Sequence, residues 1–311
     1  MPISDGCRRR GAKVIEYWTA LERRLADDGL LGTARNYGNA RRRFAEFIGR
    51  RDIAFSRVTA ELVADFERWL LRRGMTMNSV SFYLRHLRAV YNQAASDGWA
   101  RPALLFAEVF TGVCPTRKLA VPESVIARLH NFDLSQEHAS LRLSRDIFVF
   151  SYCARGMAFV DVAFLRSSDI CGEWLSYERR KTRQRLTVRI EPPMRAIIDR
   201  YAGGEYVFPL ITTADGADAY RQYQTALGYY NRRLKKLAEV VGIADRLSTY
   251  TARHSWATAA RRHNVPLSLI SAGLGHTSER TTLIYLDSVE NVALDNANRE
   301  ILSILDSAVS P

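Results

Sequence analysis

From residue 12 to about residue 100 the apolar residues recur at helical spacing, and nowhere do they alternate as in a strand. Such a run specifies helices packed on helices and leaves no room for a sheet. Lys13–Leu25 carries the first pattern. Thr33 begins a second, in which Phe44, Phe47 and Ile48 share one side. Thr59 is a start signal for a third helix that ends before Gly74, and Asn78 opens a long amphipathic stretch closing at Gly98. Four helices with short connections predict a small helical domain, assigned to residues 1–105. Pro102, Gly112, Pro115 and Pro122 then punctuate the chain, so residues 106–121 are the expected linker.

The second half, residues 122–311, mixes elements. Leu141–Ala154 and Phe159–Leu165 are patterned as helices. Trp174–Tyr177 and Leu186–Ile190 alternate and flank a polar stretch, which predicts a hairpin. Helical patterns return at Pro192–Tyr201, Tyr220–Val241, Thr249–Arg262 and Leu267–Ala272. Ser278 is the expected N-cap of a helix that carries Tyr285, and Asn291–Leu305 is a last amphipathic helix. The expected class is mostly α: a helical N-terminal domain plus an α+β domain with one small antiparallel sheet.

Charge narrows the partners. Lys and Arg number 45 against 33 Asp and Glu, a net charge of +12. A surface of that sign favours polyanions, nucleic acid or an anionic membrane. No run approaches the about 18 apolar residues of a membrane span, and the N-terminus lacks the apolar region of a signal peptide. Nucleic acid is therefore the expected partner of this charge, and the cytoplasm the expected setting. The four cysteines, Cys7, Cys114, Cys153 and Cys171, are scattered. None stands in a pair or near a His at metal-ligand spacing, as expected of reduced thiols.

The most informative segment runs from Tyr250 to Tyr285. Arg253-His254-Ser255-Trp256-Ala257-Thr258 is followed by Leu274-Gly275-His276, and Tyr285 stands nine residues past that His. Together these resemble the C-terminal signature of the tyrosine recombinase (phage integrase) family. The resemblance extends more loosely over nearly the whole chain. It implies a core-binding domain ahead of a catalytic domain, the two closing on duplex DNA as a homotetramer on two sites. It also implies site-specific cleavage and rejoining through a 3′-phosphotyrosyl bond, without metal or other cofactor. Accessory DNA-bending proteins are an open part of that picture.

The residue types suit the chemistry. A phosphodiester repels nucleophiles, and guanidinium groups neutralise its charge in bidentate geometry and stabilise the transition state. A Tyr hydroxyl then forms the covalent intermediate, with Tyr285 as nucleophile. Arg253 is the expected phosphate ligand, and His276 steadies the phosphate or takes the Tyr285 proton. Lys181-Thr182, between the two predicted strands, is similar to the family's hairpin Lys-Thr, whose Lys protonates the 5′-hydroxyl leaving group. Its neighbours Arg179, Arg180, Arg183 and Arg185 form a basic run that also suits a DNA-backbone face.

Two positions depart from the family pattern. Tyr250 stands where most members carry His three residues before the Arg. A phenol with a pKa of about 10 is a poor proton acceptor but can donate to phosphate. Strict register over Gly156-Met157-Ala158 puts Ala158 where the family's first Arg belongs. Arg155 is the expected substitute, and Asp161 a carboxylate that orients an arginine. Both departures resemble a variant form seen in Bacteroidetes and their mobile elements. The alternatives are a type IB topoisomerase-like nicking-closing enzyme and a DNA-binding protein with impaired catalysis.

Overall fold

The structure is a computed structural model and describes residues 13–49, 51–116, 119–213, 216–276, 278 and 282–283. Tyr285 and the helix expected at Asn291–Leu305 lie outside the described residues. The chain divides into two compact units, Met1–Thr116 and Arg117–Pro311.

The first unit holds α1 (Val14–Asp27), α2 (Leu31–Phe47), α3 (Ala60–Arg72) and α4 (Met77–Ser96). Three of the four starts, those of α1, α3 and α4, are capped by a side chain. The Asp52 carboxylate accepts the N–H groups of Ile15 and Glu16 at 2.8 and 3.0 Å, so a distant side chain caps α1. Thr59 Oγ1 accepts Leu62 N–H at 3.1 Å and starts α3 as its position foretold. Thr76 does the same for α4 through Ser79 N–H. The core is aromatic at its centre. Trp18, Phe44 and Phe66 are fully buried, and Phe44 meets Phe66 edge to face with centroids 5.2 Å apart.

Residues 106–114, inside the stretch expected as linker, pack on this first unit. Phe106 and Val109 join its core. Glu67 accepts Phe110 N–H at 2.8 Å, and Asn78 exchanges two hydrogen bonds with the Cys114 backbone.

The second unit adds α5 (Glu123–Asn131), α6 (Ala139–Cys153), α7 (Phe159–Ala163), β1 (Ile170–Cys171), β2 (Trp174–Glu178) and β3 (Arg185–Arg189). It ends with α8 (Pro192–Arg200), α9 (Ala217–Val241), α10 (Thr251–Arg262) and α11 (Leu267–Leu274). The three strands form one antiparallel sheet in the order β1-β2-β3, with Leu175 opposite Val188 and Tyr177 opposite Leu186. The α6 helix is the hub and packs against α5, α8, α9 and α10. Its Asp146 is buried and binds Arg145, Arg200 and the Tyr201 hydroxyl. Phe159 of α7 stacks on the buried Tyr230 of α9 at 4.5 Å, which fixes the turn of helix that carries Asp161. Among the described residues no helix is long and apolar enough to cross a membrane.

Candidate active site

The α10 helix begins at a polar turn in which the Thr251 hydroxyl accepts Ser248 N–H at 3.0 Å. Two residues further on lies Arg253, only 3% exposed. A buried guanidinium needs partners for its donors. Nη1 donates to Gly156 O at 2.7 Å, and Nη2 donates to Leu274 O at 2.5 Å and faces His276 Nε2 at 3.1 Å. Two loops distant in sequence thus meet on one side chain.

Both loops turn at a glycine because nothing larger fits. Gly156 follows the end of α6 with φ +70°, and a Cβ there would lie 2.9 Å from Arg253 Cα. Gly275 ends α11 in the left-handed region at φ +62°, with His276 N–H returning to Ser271 O. A Cβ on Gly275 would fall 2.6 Å from Arg179 Cδ and 2.9 Å from Leu186 Cδ1.

His276 follows directly. Its Nδ1 lies 2.8 Å from the hydroxyl of Thr282, which is itself fully buried. Because Nε2 receives an Arg253 N–H, the proton of the neutral ring belongs on Nδ1. Burial holds the imidazole pKa down to about 4, and the charges of Arg253, Arg179 and Lys181 push the same way. His276 is therefore neutral at physiological pH.

Lys181 is exposed at the tip of the β2–β3 hairpin. The hairpin closes through Arg179 N–H to Gln184 O and Arg183 N–H to Arg179 O, both at 2.8 Å, with Arg183 at φ +58°. Tyr250 stands at the N-terminus of α10 and is 54% exposed. Arg155 takes a left-handed conformation at φ +57° ahead of Gly156, and its Nη1 is 3.4 Å from Thr187 O. Ala158 is the extended residue that leads into α7.

Arg179 behaves unlike the solvated basic run to which its sequence neighbours assign it. It is 5% exposed. Its Nη1 donates to Gly275 O, and its Nε lies 3.7 Å from the buried Asp161 carboxylate, which also accepts Arg180 N–H at 2.9 Å. Burial raises the Asp161 carboxyl pKa, against the pull of that N–H and of Arg179 and Arg253. Two-residue alternation carried the signal. Leu175 and Tyr177 face inward, and the same parity continued by one step places Arg179 inward. His254 is buried, and His263 is exposed beside Glu123 at 3.1 Å. In the first unit, Arg41 pairs with Glu22, while Arg43 and Arg73 both pair with Glu46.

Both units of the chain are similar to known proteins. Residues 13–105 match the phage integrase SAM-like domain, and residues 157–291 match the phage integrase family. Tyrosine recombinase XerD of Pseudomonas aeruginosa is 25% identical over 287 residues, spanning 85% of this chain and 88% of XerD. Among solved structures, the lambda integrase(75–356) dimer bound to a COC′ core site superposes with a TM-score of 0.66 at 16% identity. That match covers 89% of this chain and 96% of the integrase. The Tn1549 transposon integrase in complex with transposon right end DNA gives a TM-score of 0.62 at 13% identity, over 94% of this chain and 100% of that one. Matched domains and fold together define a site-specific DNA recombinase. The chain belongs to the tyrosine recombinase, or phage integrase, family.

Proposed function

We propose that this recombinase binds duplex DNA and that the Tyr285 phenol oxygen attacks the scissile phosphate. The bond from phosphorus to the 5′-oxygen breaks, and the 3′-phosphate becomes esterified to Tyr285. The freed 5′-hydroxyl then attacks the partner strand and regenerates the phenol. The ester conserves the bond energy, so rejoining needs no nucleotide cofactor. The observation that carries this reading is the enclosure of Arg253. A guanidinium 3% exposed and held on two main-chain carbonyls is oriented before substrate arrives. Preorganised donors of this kind lower a charged transition state without reorganisation at the moment of reaction.

Lys181, exposed on the hairpin tip, delivers the proton to the departing 5′-oxygen. His276, neutral and sharing its Nε2 lone pair with Arg253, accepts the Tyr285 proton once phosphate engages the guanidinium. Tyr250, one turn before Arg253, donates to a phosphate oxygen, and Arg155 adds a cation beside the same group. The helical first unit supplies further phosphate contacts. The working form is a homotetramer on two DNA sites in the cytoplasm, serving a mobile element. Support for the assembly comes from lambda integrase, which has been solved as a tetramer bound to a Holliday junction.

A nicked, labelled suicide duplex carrying sites from the chain's own genomic surroundings tests this. Wild type is expected to give a covalent adduct on a denaturing gel and Tyr285→Phe none. An adduct that persists in Tyr285→Phe refutes the assignment. Exchange of flanking sequences between two duplexes separates recombination from simple nicking and closing.

A further inference from the structure

We propose that Arg179 is a phosphate-contacting guanidinium of this active site and serves in place of the arginine that the chain lacks at Ala158. The inference rests on the recombinase chemistry proposed above. It starts from a deficit. The transition state of phosphoryl transfer carries more negative charge than one guanidinium balances, and bidentate clamps on opposite oxygens are the efficient answer. Ala158 offers only a methyl group. Three residues later, Asp161 is buried all the same and requires a cation. Arg179 supplies that cation from the hairpin, with Nε 3.7 Å from Asp161 Oδ2.

The rest of the guanidinium is not consumed. Of its five N–H donors, one reaches Gly275 O, and among the described residues no other side-chain hydrogen bond is made. Nε is buried without a hydrogen-bond partner, and so is Asp161 Oδ2. Those two buried atoms face each other, whereas the Nη donors beyond the Gly275 contact are not among the buried unpaired atoms and stay open to a ligand with anionic oxygens. The placement suits such a ligand. Arg253 donates to Leu274 O and Arg179 to Gly275 O, so the two guanidiniums grip consecutive carbonyls of the turn that presents His276. Asp161 lies within electrostatic range of both. Two residues beyond Arg179, the same hairpin carries Lys181. One hairpin thus brings a clamp and a proton donor to the phosphate, and Arg155, whose Nη1 is 3.4 Å from Thr187 O, stands beside them as a second cation.

A purely structural Arg179, one that only pins the Gly275 turn to the sheet, is separated by the charge of the substrate. Arg179→Ala and Arg179→Lys are compared with wild type on two suicide duplexes. One carries a phosphate at the scissile position and the other a methylphosphonate, which has lost one anionic oxygen. Adduct formation by Arg179→Ala on phosphate is expected to fall about 10²–10³-fold. On methylphosphonate its deficit against wild type should narrow to about tenfold or less, because one clamp is no longer needed. Arg179→Lys keeps a cation beside Asp161 and is read in place of Arg179→Ala if that variant melts below the assay temperature. The same narrowing is expected of it. Rates within threefold of wild type on phosphate, or an equal deficit on both substrates, overturn the assignment. A wild-type protein that forms no adduct overturns the recombinase chemistry itself, and this inference with it.

Discussion

Gly156→Ala is the sharpest test of how the fold builds its site. The new Cβ would lie 2.9 Å from Arg253 Cα, 3.0 Å from its Cγ and 3.2 Å from its Cβ. Carbon pairs rest at about 3.5–4.0 Å, so the turn must retreat by roughly half an ångström or more. Arg253 sits inside a packed helix, and a helix backbone yields less readily than a side-chain tip. Two costs add. A left-handed φ costs a non-glycine residue about 1–2 kcal/mol, and overpacking about 1–3 kcal/mol. The sum of about 2–5 kcal/mol corresponds to a drop of roughly 5–15 °C in Tm for a unit of this size. The retreat also carries Gly156 O away from Arg253 Nη1, and a misplacement of this order lowers cleavage about 10²-fold. Gly242→Ala is the control: its φ is +69° and a Cβ there meets nothing within 4 Å, so only the conformational cost remains. Thermal melts and single-turnover adduct formation measure both effects. If Gly156→Ala melts within 2 °C of Gly242→Ala and cleaves within about threefold of wild type, the turn does not set the arginine.

Arg253→Lys keeps the charge but cannot span Gly156 O and Leu274 O together. Adduct formation should fall at least about 10²-fold while DNA binding by gel shift changes little. His276 links stability to acid. Its folded pKa is about 4 against 6.5 in an unfolded chain, so between those values the unfolded state binds the extra proton. Stability must therefore fall as pH drops through 6.5 towards 4, and stay level above that window, by about 1–2 kcal/mol once discounted for a half-buried ring. Chemical denaturation at pH 7 and pH 5 should show that loss in wild type and not in His276→Gln. Asp146→Ala leaves Arg145, Arg200 and Tyr201 without their shared acceptor and should cost about 3–5 kcal/mol in urea titrations. Thr59→Ala removes the cap of α3 and should cost about 1 kcal/mol in the same assay.

Where local chemistry decided the structure, the sequence was readable. Thr59 caps α3 by its own hydroxyl, and the alternation of Trp174–Tyr177 and Leu186–Ile190 became β2 and β3. Arg253, Leu274, Gly275 and His276 were picked out by resemblance to the family signature, and α10 and α11 bring them together. Legibility failed where partners come from afar. Pro122 was read as loop punctuation, but it is the N-cap residue of α5, whose helix was not foreseen. The two-residue strand β1 is too short to show a period and exists because β2 offers it an edge. Residues 106–114 look like a linker in composition, yet Asn78, Ser81 and Glu67 bind their backbone. Arg179 was hidden by its neighbours, since one inward residue in a run of arginines is visible only by carrying strand parity past the end of the apolar positions.

Both arginines of the turn are tethered to main-chain carbonyls, those of Gly156, Leu274 and Gly275. Side-chain mutagenesis has little purchase on such anchors. An alanine scan would register the glycines and the arginines while leaving every acceptor atom in place. The anchoring is written in the path of the backbone, so a diverging lineage that keeps the two glycines and the two arginines could exchange the other residues lining this turn and keep its geometry. Amide-to-ester replacement, which weakens a chosen carbonyl without touching a side chain, is the perturbation matched to that kind of inheritance.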